Sequence, residues 1–287
     1  MRILCLHGVG SSATVLENQL RHLIRAVDPT FEFIFVNGPI PCERGPGIGL
    51  HIEGPFFSHT VGYSADDMDE ALEHFTNTLD ELGPFNGVLG FSQGAALAVS
   101  YMHRQRQRRE MVPFQFALLF SSVMPCSATP TCCSEVIQNL VARGQDVTDS
   151  GLAKGVCLTR EERLFVQLLH RTIIPAKKQR QMLPDYDLAV YSGGDGIGAP
   201  RIMHPELLSD RILIPTVHVT GKRDLHFMRA MSQVAYELCD ERYTKKLEHS
   251  GGHEPPQKAA EVKAVTRALE WAIRTSEVSH ARPSENL

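Results

Sequence analysis

The sequence predicts an α/β domain built on a largely parallel sheet with helices on both faces. Three observations carry that expectation. Near-continuously apolar runs of strand length recur at residues 2–6, 31–36, 87–91, 116–120 and 212–220, the pattern of strands covered on both sides. Between most of them lie stretches with apolar residues at helical spacing, so strand and helix alternate and each return is a right-handed crossover. The composition, 43% hydrophobic and 22% charged with a net charge of −4, is that of a globular domain. A chain of 287 residues leaves room for one large or two small domains.

The elements follow in order. Arg2-Ile3-Leu4-Cys5-Leu6 is the first strand, and His7-Gly8-Val9-Gly10-Ser11-Ser12 the loop after it. Leu16, Leu20, Leu23, Ile24 and Val27 mark a helix, and Phe31 to Val36 a strand ended by Asn37-Gly38-Pro39. From there to about Tyr63 no period is sustained, and a structureless stretch of that length is expected to be functional. Met68, Leu72, Phe75, Leu79 and Leu82 predict a helix leading to the strand Gly87 to Phe91. A second helix runs from Gln93 to about Arg108, and its basic end (Arg104, Arg106, Arg108, Arg109) reads as solvated and suited to the negative end of the helix dipole. Phe116 to Phe120 is the next strand.

Residues 125–210 break the alternation. Ser134 to Val141 reads as a helix stopped at Gly144, and Thr159-Arg160-Glu161-Glu162 is a capping box opening a helix through Leu169. The run Gly193 to Gly198 lacks a preceding strand and a following helix, which makes it a flexible loop and not a phosphate cradle. Inserted between core strands, the segment is expected to be a lid or cap. The sheet resumes with Ile212 to Thr220, the turn Gly221-Lys222-Arg223-Asp224, a helix from Phe227 to Leu238 and a last strand, Lys245 to His249. A closing helix carries Val262, Val265, Leu269 and Ile273. The expected organisation is one domain over 1–275 with a disordered polar tail at 276–287.

The chemistry centres on Gly87 to Ala96. Gly90, Ser92 and Gly94 fit G-x-S-x-G, in which a tight strand-to-helix turn lifts the serine clear of the sheet. The helix starting at Gln93 aims its free N–H groups at the reacting centre, which suits a developing oxyanion. A serine hydroxyl needs a base, and the base needs an acid to hold it. In chain order the candidates are Asp224, in the turn after one late strand, and His253, in the loop after the last strand. Both sit at carboxyl ends of parallel strands, where open α/β sheets bind ligands. His249 is the main rival base, with His226 also near, and Glu254 and Asp195 are rival acids. Oxyanion donors are expected from the backbone N–H of Gln93 and of Val9, with Gly8 and Gly10 as neighbours of the latter. His7 reads as a brace for that loop. No metal or cofactor is called for by acyl transfer to water.

Leu4 to Gly8, Gly90 to Gly94, Val219 to Asp224 and Gly251-Gly252-His253-Glu254-Pro255 together resemble the fungal serine-hydrolase family of α/β-hydrolases. That family is related to the ovarian-cancer-associated serine hydrolase and to thioesterases that release fungal polyketides. The resemblance implies the α/β-hydrolase fold, with Ser92 as nucleophile, Asp224 as acid and His253 as base. It also implies ester or thioester hydrolysis, a polyketide-type acyl substrate, an acyl carrier protein or polyketide synthase as partner, and a substrate-lining role for residues 39–59. Acyl transfer to an alcohol or amine, or a silent acyl-binding protein on the same fold, are the alternatives.

Charge gives no reason to expect nucleic acid as a partner. No apolar run suggests a membrane span, and residues 2–6 read as a core strand and not as a signal sequence. The seven cysteines (5, 42, 126, 132, 133, 157 and 239) fit neither a disulfide framework nor a zinc site. Reduced thiols, including the Cys132-Cys133 pair, make a cytoplasmic location the expectation.

Overall fold

The computed structural model describes residues 1–152 and 158–281, with side chains to 278. In chain order the elements are β1 (Arg2–Leu6), α1 (Ala13–Ala26), β2 (Glu32–Val36), β3 (Ile40–Cys42), β4 (Phe56–Ser58), α2 (Ala65–Leu82), β5 (Gly87–Phe91), α3 (Gln93–Gln107) and β6 (Phe116–Phe120). They continue with α4 (Ser134–Arg143), α5 (Arg160–Arg171), α6 (Ile173–Lys178), β7 (Thr216–Gly221), α7 (His226–Glu237), β8 (Thr244–His249) and α8 (Ala259–Ala281).

Six strands form one sheet in the order β2-β1-β5-β6-β7-β8, parallel at every pairing. The central strands β5 and β6 are buried at every position, as a strand covered on both faces must be. Edge strand β8 keeps polar Lys245, Lys246 and Glu248, which blunts pairing with another chain. Alternation along each strand divides the core into two. Ile3, Cys5, Leu89, Leu118 and Val217 pack with Leu16 and Leu20 of α1 and with Val262, Val265 and Leu269 of α8. Leu4, Leu6, Val88, Ala117 and Leu119 face the other way, against α2, α3, α7 and the inserted segment.

Capping fixes the helix starts. Ser12 caps α1 by accepting from the Val15 N–H, and Ser64 with Asp67, like Thr159 with Glu162, makes a reciprocal box. Helix α4 stops at Gly144 in the left-handed conformation, φ 60°. The thiols of Cys132 and Cys133 are free at the start of α4. Cys157 lies outside the described residues.

Several expectations need correction. The stretch 39–63 is not structureless: β3 and β4 form a small antiparallel pair within it. Three residues per strand are too few to show a period. The strand expected over 212–220 begins only at Thr216, because Pro215 cannot donate to the ladder; Ile212 makes a lone bridge to Cys239. Arg104 is not solvated. It is buried, with its guanidinium on Asp69 at 3.1 Å and on the Leu72 carbonyl at 3.3 Å. The disordered tail does not begin at 276, since α8 continues to Ala281 and Ser276 is buried. The remaining tail, 282–287, lies outside the described residues. The insertion packs its own apolar residues (Ile137, Leu140, Phe165, Leu169, Tyr191) into the same cluster as α2 and α3.

Burial of neutral histidines makes the fold acid-sensitive. His218, buried in β7, is pushed down to about 3 by desolvation, with Lys246 adding to the effect. The unfolded chain takes up this proton near 6.5 while the folded ring does not. Stability is therefore full above that pH and falls as pH drops toward 3. The expected slope from His218 alone is about 1.4 kcal/mol per pH unit across this window. Urea unfolding at pH 7, 6, 5 and 4 measures it, and His218→Gln should flatten the slope by about that amount.

Candidate active site

The loop and turn residues singled out in the sequence gather at the carboxyl edge of the sheet, because parallel strands all end on one side. Ser92 stands between β5 and α3 at φ 54°, ψ −113°. This is a strained backbone for a residue with a side chain, costing about 1–3 kcal/mol. Hydrogen bonds hold it there: Ser92 N–H donates to the Phe120 carbonyl at 2.9 Å, and Gly94 N–H to the His7 carbonyl at 3.1 Å. The two flanking glycines are sterically required. A Cβ on Gly90 would lie 2.5 Å from Ala95 Cα, and one on Gly94 2.3 Å from the Leu6 carbonyl oxygen.

His253 Nε2 lies 3.0 Å from Ser92 Oγ, and His253 Nδ1 lies 2.7 Å from Asp224 Oδ2. A carboxylate only accepts, so Nδ1 carries the proton and Nε2 is left to accept from the serine hydroxyl. Asp224 is set by its own neighbour, since its Oδ1 accepts from the Leu225 N–H at 2.7 Å. Its side chain is 1% exposed against 26% for His253, so the carboxylate is shielded while the imidazole can reach a substrate. The Phe91 ring lies against His253 at 5.2 Å between centroids.

The rivals do not reach this point. His249 ends β8 with its Nδ1 accepting from the Gly251 N–H at 3.1 Å. His226 begins α7. Glu254 accepts from Gly252 N–H at 3.4 Å and Asp195 from Ile197 N–H at 2.9 Å. None of the four lines the cavity that holds Ser92, Asp224 and His253.

The loop after β1 passes over Ser92 and is clamped from several directions. Gly10 N–H donates to the Phe57 carbonyl at 3.0 Å and Gly45 N–H to the Gly10 carbonyl at 2.8 Å, so β4 and the segment between β3 and β4 both hold it. Gly38 N–H donates to His7 Nε2 at 2.9 Å, which leaves Nδ1 protonated and donating to the Gly8 carbonyl at 2.7 Å. Burial pushes His7 down to about 4 and so keeps it in that neutral form. In a trans peptide the N–H points opposite the C=O. Holding the Gly8 carbonyl toward His7 therefore turns the Val9 N–H away from His7. The backbone N–H groups of Val9 and Gln93 have no acceptor among the described residues. The Gln93 side chain meanwhile ties α3 to β4, accepting from His59 N–H at 2.9 Å and donating to Ser58 Oγ at 2.9 Å.

A cavity that opens to solvent lies beside Ser92 and is lined in part by Gly8, Val9, Asp224 and His253. One wall is apolar, with Met124, Ile173, Met182, Leu183, Met228 and Met231. Of the expected 39–59 lining, Pro46, Gly47 and Ile48 contribute. The methionines come from three separate segments and carry no sequence signal; only the observation that the insertion interrupts the alternation could have pointed to Ile173, Met182 and Leu183. Among the described residues no group of three or more His, Cys, Asp or Glu converges as a metal site. No described helix is long and apolar enough to cross a membrane.

The model of the serine hydrolase (FSH1) family matches residues 1–265. The chain belongs to this serine hydrolase family. Among its relatives, Esterase alnB of Emericella nidulans is 36% identical over 280 residues, covering 97% of this chain and 99% of alnB. Serine hydrolase cnsH of Penicillium expansum is 27% identical, covering 81% of this chain and 96% of cnsH. Of solved structures, Arabidopsis thaliana SOBER1 matches with a TM-score of 0.50 at 12% identity, covering 95% of this chain and 99% of SOBER1. That last likeness concerns the fold, which is the α/β-hydrolase fold. The FSH1 family member described here is an ester hydrolase.

Proposed function

We propose that the protein hydrolyses esters or thioesters of a largely apolar acyl group through a covalent intermediate on Ser92. The reading is carried by the continuous chain Asp224–His253–Ser92, with contacts of 2.7 and 3.0 Å, together with two backbone N–H groups that have no acceptor among the described residues. His253 Nε2 takes the Ser92 proton as Oγ bonds to the substrate carbonyl carbon. The oxyanion that forms is held by Val9 and Gln93 N–H, each donor worth about 3–4 kcal/mol in the transition state. The imidazolium, stabilised by Asp224, then gives its proton to the leaving oxygen or sulfur as that bond breaks. Water repeats the sequence, with His253 as base, and releases the acid.

The apolar wall supports an acyl chain rich in methylene and methyl groups, and methionines adapt to irregular shapes. The sequence motifs that resemble polyketide-releasing thioesterases favour a polyketide-type acyl chain, delivered on an acyl carrier protein in fungal secondary-metabolite biosynthesis within the cytoplasm. A panel of acyl-carrier thioesters and free esters of matched acyl groups, read by product formation and by intact-protein mass, tests this. Turnover with an acyl-enzyme is expected, fastest with an extended apolar polyketide-type chain. Turnover of acetyl esters alone would contradict the acyl-group assignment.

The same reading assigns His7 a positioning role on the oxyanion loop. Asn at this site can still donate to the Gly8 carbonyl, as Nδ1 does, whereas Gln reaches only the position of Nε2. His7→Asn is therefore expected to retain kcat within about tenfold and His7→Gln to lose about 10²–10³-fold, with KM little changed in both, the size of losing one oxyanion donor. Steady-state kinetics on one ester decide it.

A further inference from the structure

We infer that Ser11 and Gln19 form a subsite for the leaving group, selecting alcohols or thiols that carry a hydrogen-bond donor. This rests on the proposed ester-hydrolase site and adds its second specificity element. Both residues line the cavity that holds Ser92 and His253. Ser11 Oγ and Gln19 Oε1 are both buried from solvent and have no hydrogen-bond partner among the described residues, and Ser11 as a residue is only 2% exposed. An unpaired buried polar atom costs stability, so two in one cavity call for an explanation. A substrate group that donates to them supplies it.

The topology places them on the departing side. The apolar wall of the cavity comes from the loop after β6, from α7 and from the insertion, while Ser11 and Gln19 come from the loop after β1 and from α1. Helix α1 packs with α8 on the sheet face opposite α7. The Gln19 carbonyl accepts from Gln257 Nε2 at 3.1 Å, which joins α1 to the loop that carries His253. Because His253 must hand its proton to the leaving atom, the leaving group lies on its side of the carbonyl. Past Gln19 a second cleft of mixed lining, with Asn18, Arg21, Asn37 and Glu53 beside Ile52 and Phe57, continues outward. Gln19 is shared by both spaces. An acyl chain on the methionine wall therefore leaves the alcohol or thiol facing Ser11, Gln19 and the second cleft. Gln19 Oε1 accepts only, and Ser11 Oγ can accept, so the group they recognise is an O–H or N–H donor.

The test uses isosteric pairs sharing one acyl group. A 2-hydroxyethyl ester is compared with the n-propyl ester, and the thioester of N-(2-mercaptoethyl)acetamide with that of 5-mercaptopentan-2-one, where CH₂ replaces N–H. For the unmodified enzyme, kcat/KM is expected to favour the donor-bearing member of at least one pair by about tenfold, the size of one satisfied hydrogen bond. The favoured pair tells whether a hydroxyl or an amide N–H is recognised. Ser11→Ala and Gln19→Met should each lower that ratio, and the double variant should bring it close to one. Labelling by a fluorophosphonate, whose leaving group is fluoride, reports whether each variant keeps a folded site with a reactive serine. Ratios near one in the unmodified enzyme, or ratios unmoved in labelled variants, overturn the inference. So does an equal loss on both members of a pair, which would put Ser11 at the acyl carbonyl. Failure of the ester-hydrolase reading itself looks different: no ester turns over and no label attaches to Ser92.

Discussion

Ser92→Ala is expected to lower kcat for ester hydrolysis by roughly 10⁶, the loss seen when the nucleophile of a serine triad is removed, leaving only what binding and oxyanion donors supply. Stopped-flow or discontinuous assays on one good ester measure it, with circular dichroism confirming the fold. The substitution keeps a Cβ at φ 54°, so the strain at the elbow stays and thermal stability changes little. Ser92→Gly separates the two properties. It should be as inactive as the alanine variant yet more stable, by about 1 kcal/mol, because glycine adopts this backbone without strain. A stabilised, inactive glycine variant is the result expected if the strain serves catalysis. A glycine variant less stable than the alanine one would remove strain from the account of the elbow.

Asp224→Asn carries the second large effect. The carboxylate now accepts from His253 Nδ1 at 2.7 Å. An Asn amide turned to present its NH₂ would force the proton onto Nε2, the nitrogen that must accept from Ser92. Loss of about 10⁴ in kcat follows from the wrong tautomer, with the side-chain positions almost unchanged. The distinguishing readout is alkaline recovery: activity in this variant should rise with pH more steeply than in the unmodified enzyme, as hydroxide replaces the missing base. A loss below about tenfold would show that Asp224 does little more than cap the turn into α7.

How much of this was legible in the sequence follows from what each signal depends on. The central strands were readable because burial on both faces leaves apolar runs such as Phe116–Phe120, which need no partner to be recognised. The elbow was readable because its glycines answer to local collisions, with Ala95 and with the Leu6 carbonyl. Chain order and a place after a parallel strand single out Asp224 and His253, and the structure puts His253 within hydrogen-bond reach of both Asp224 and Ser92. What stayed hidden depends on contacts between distant segments. Arg104 looked solvated because nothing local announces that Asp69 and the Leu72 carbonyl will enclose it. The β3–β4 pair was too short for a period to emerge. The methionine wall draws on Met124, Met182 and Met228, whose convergence only the fold creates. His7 is legible as a brace; how it braces, through the Gly8 carbonyl, depends on a contact that only the folded loop creates.

The most direct measurement is intact-protein mass spectrometry after a fluorophosphonate is added to the unmodified enzyme, to Ser92→Ala and to His253→Ala, followed by peptide mapping. One label per chain is expected on the peptide that holds Ser92, absent from Ser92→Ala and slowed by several orders of magnitude in His253→Ala. A label of equal stoichiometry on Ser92→Ala, or labelling of His253→Ala at the unmodified rate, would contradict the assignment of Ser92 and His253 as nucleophile and base.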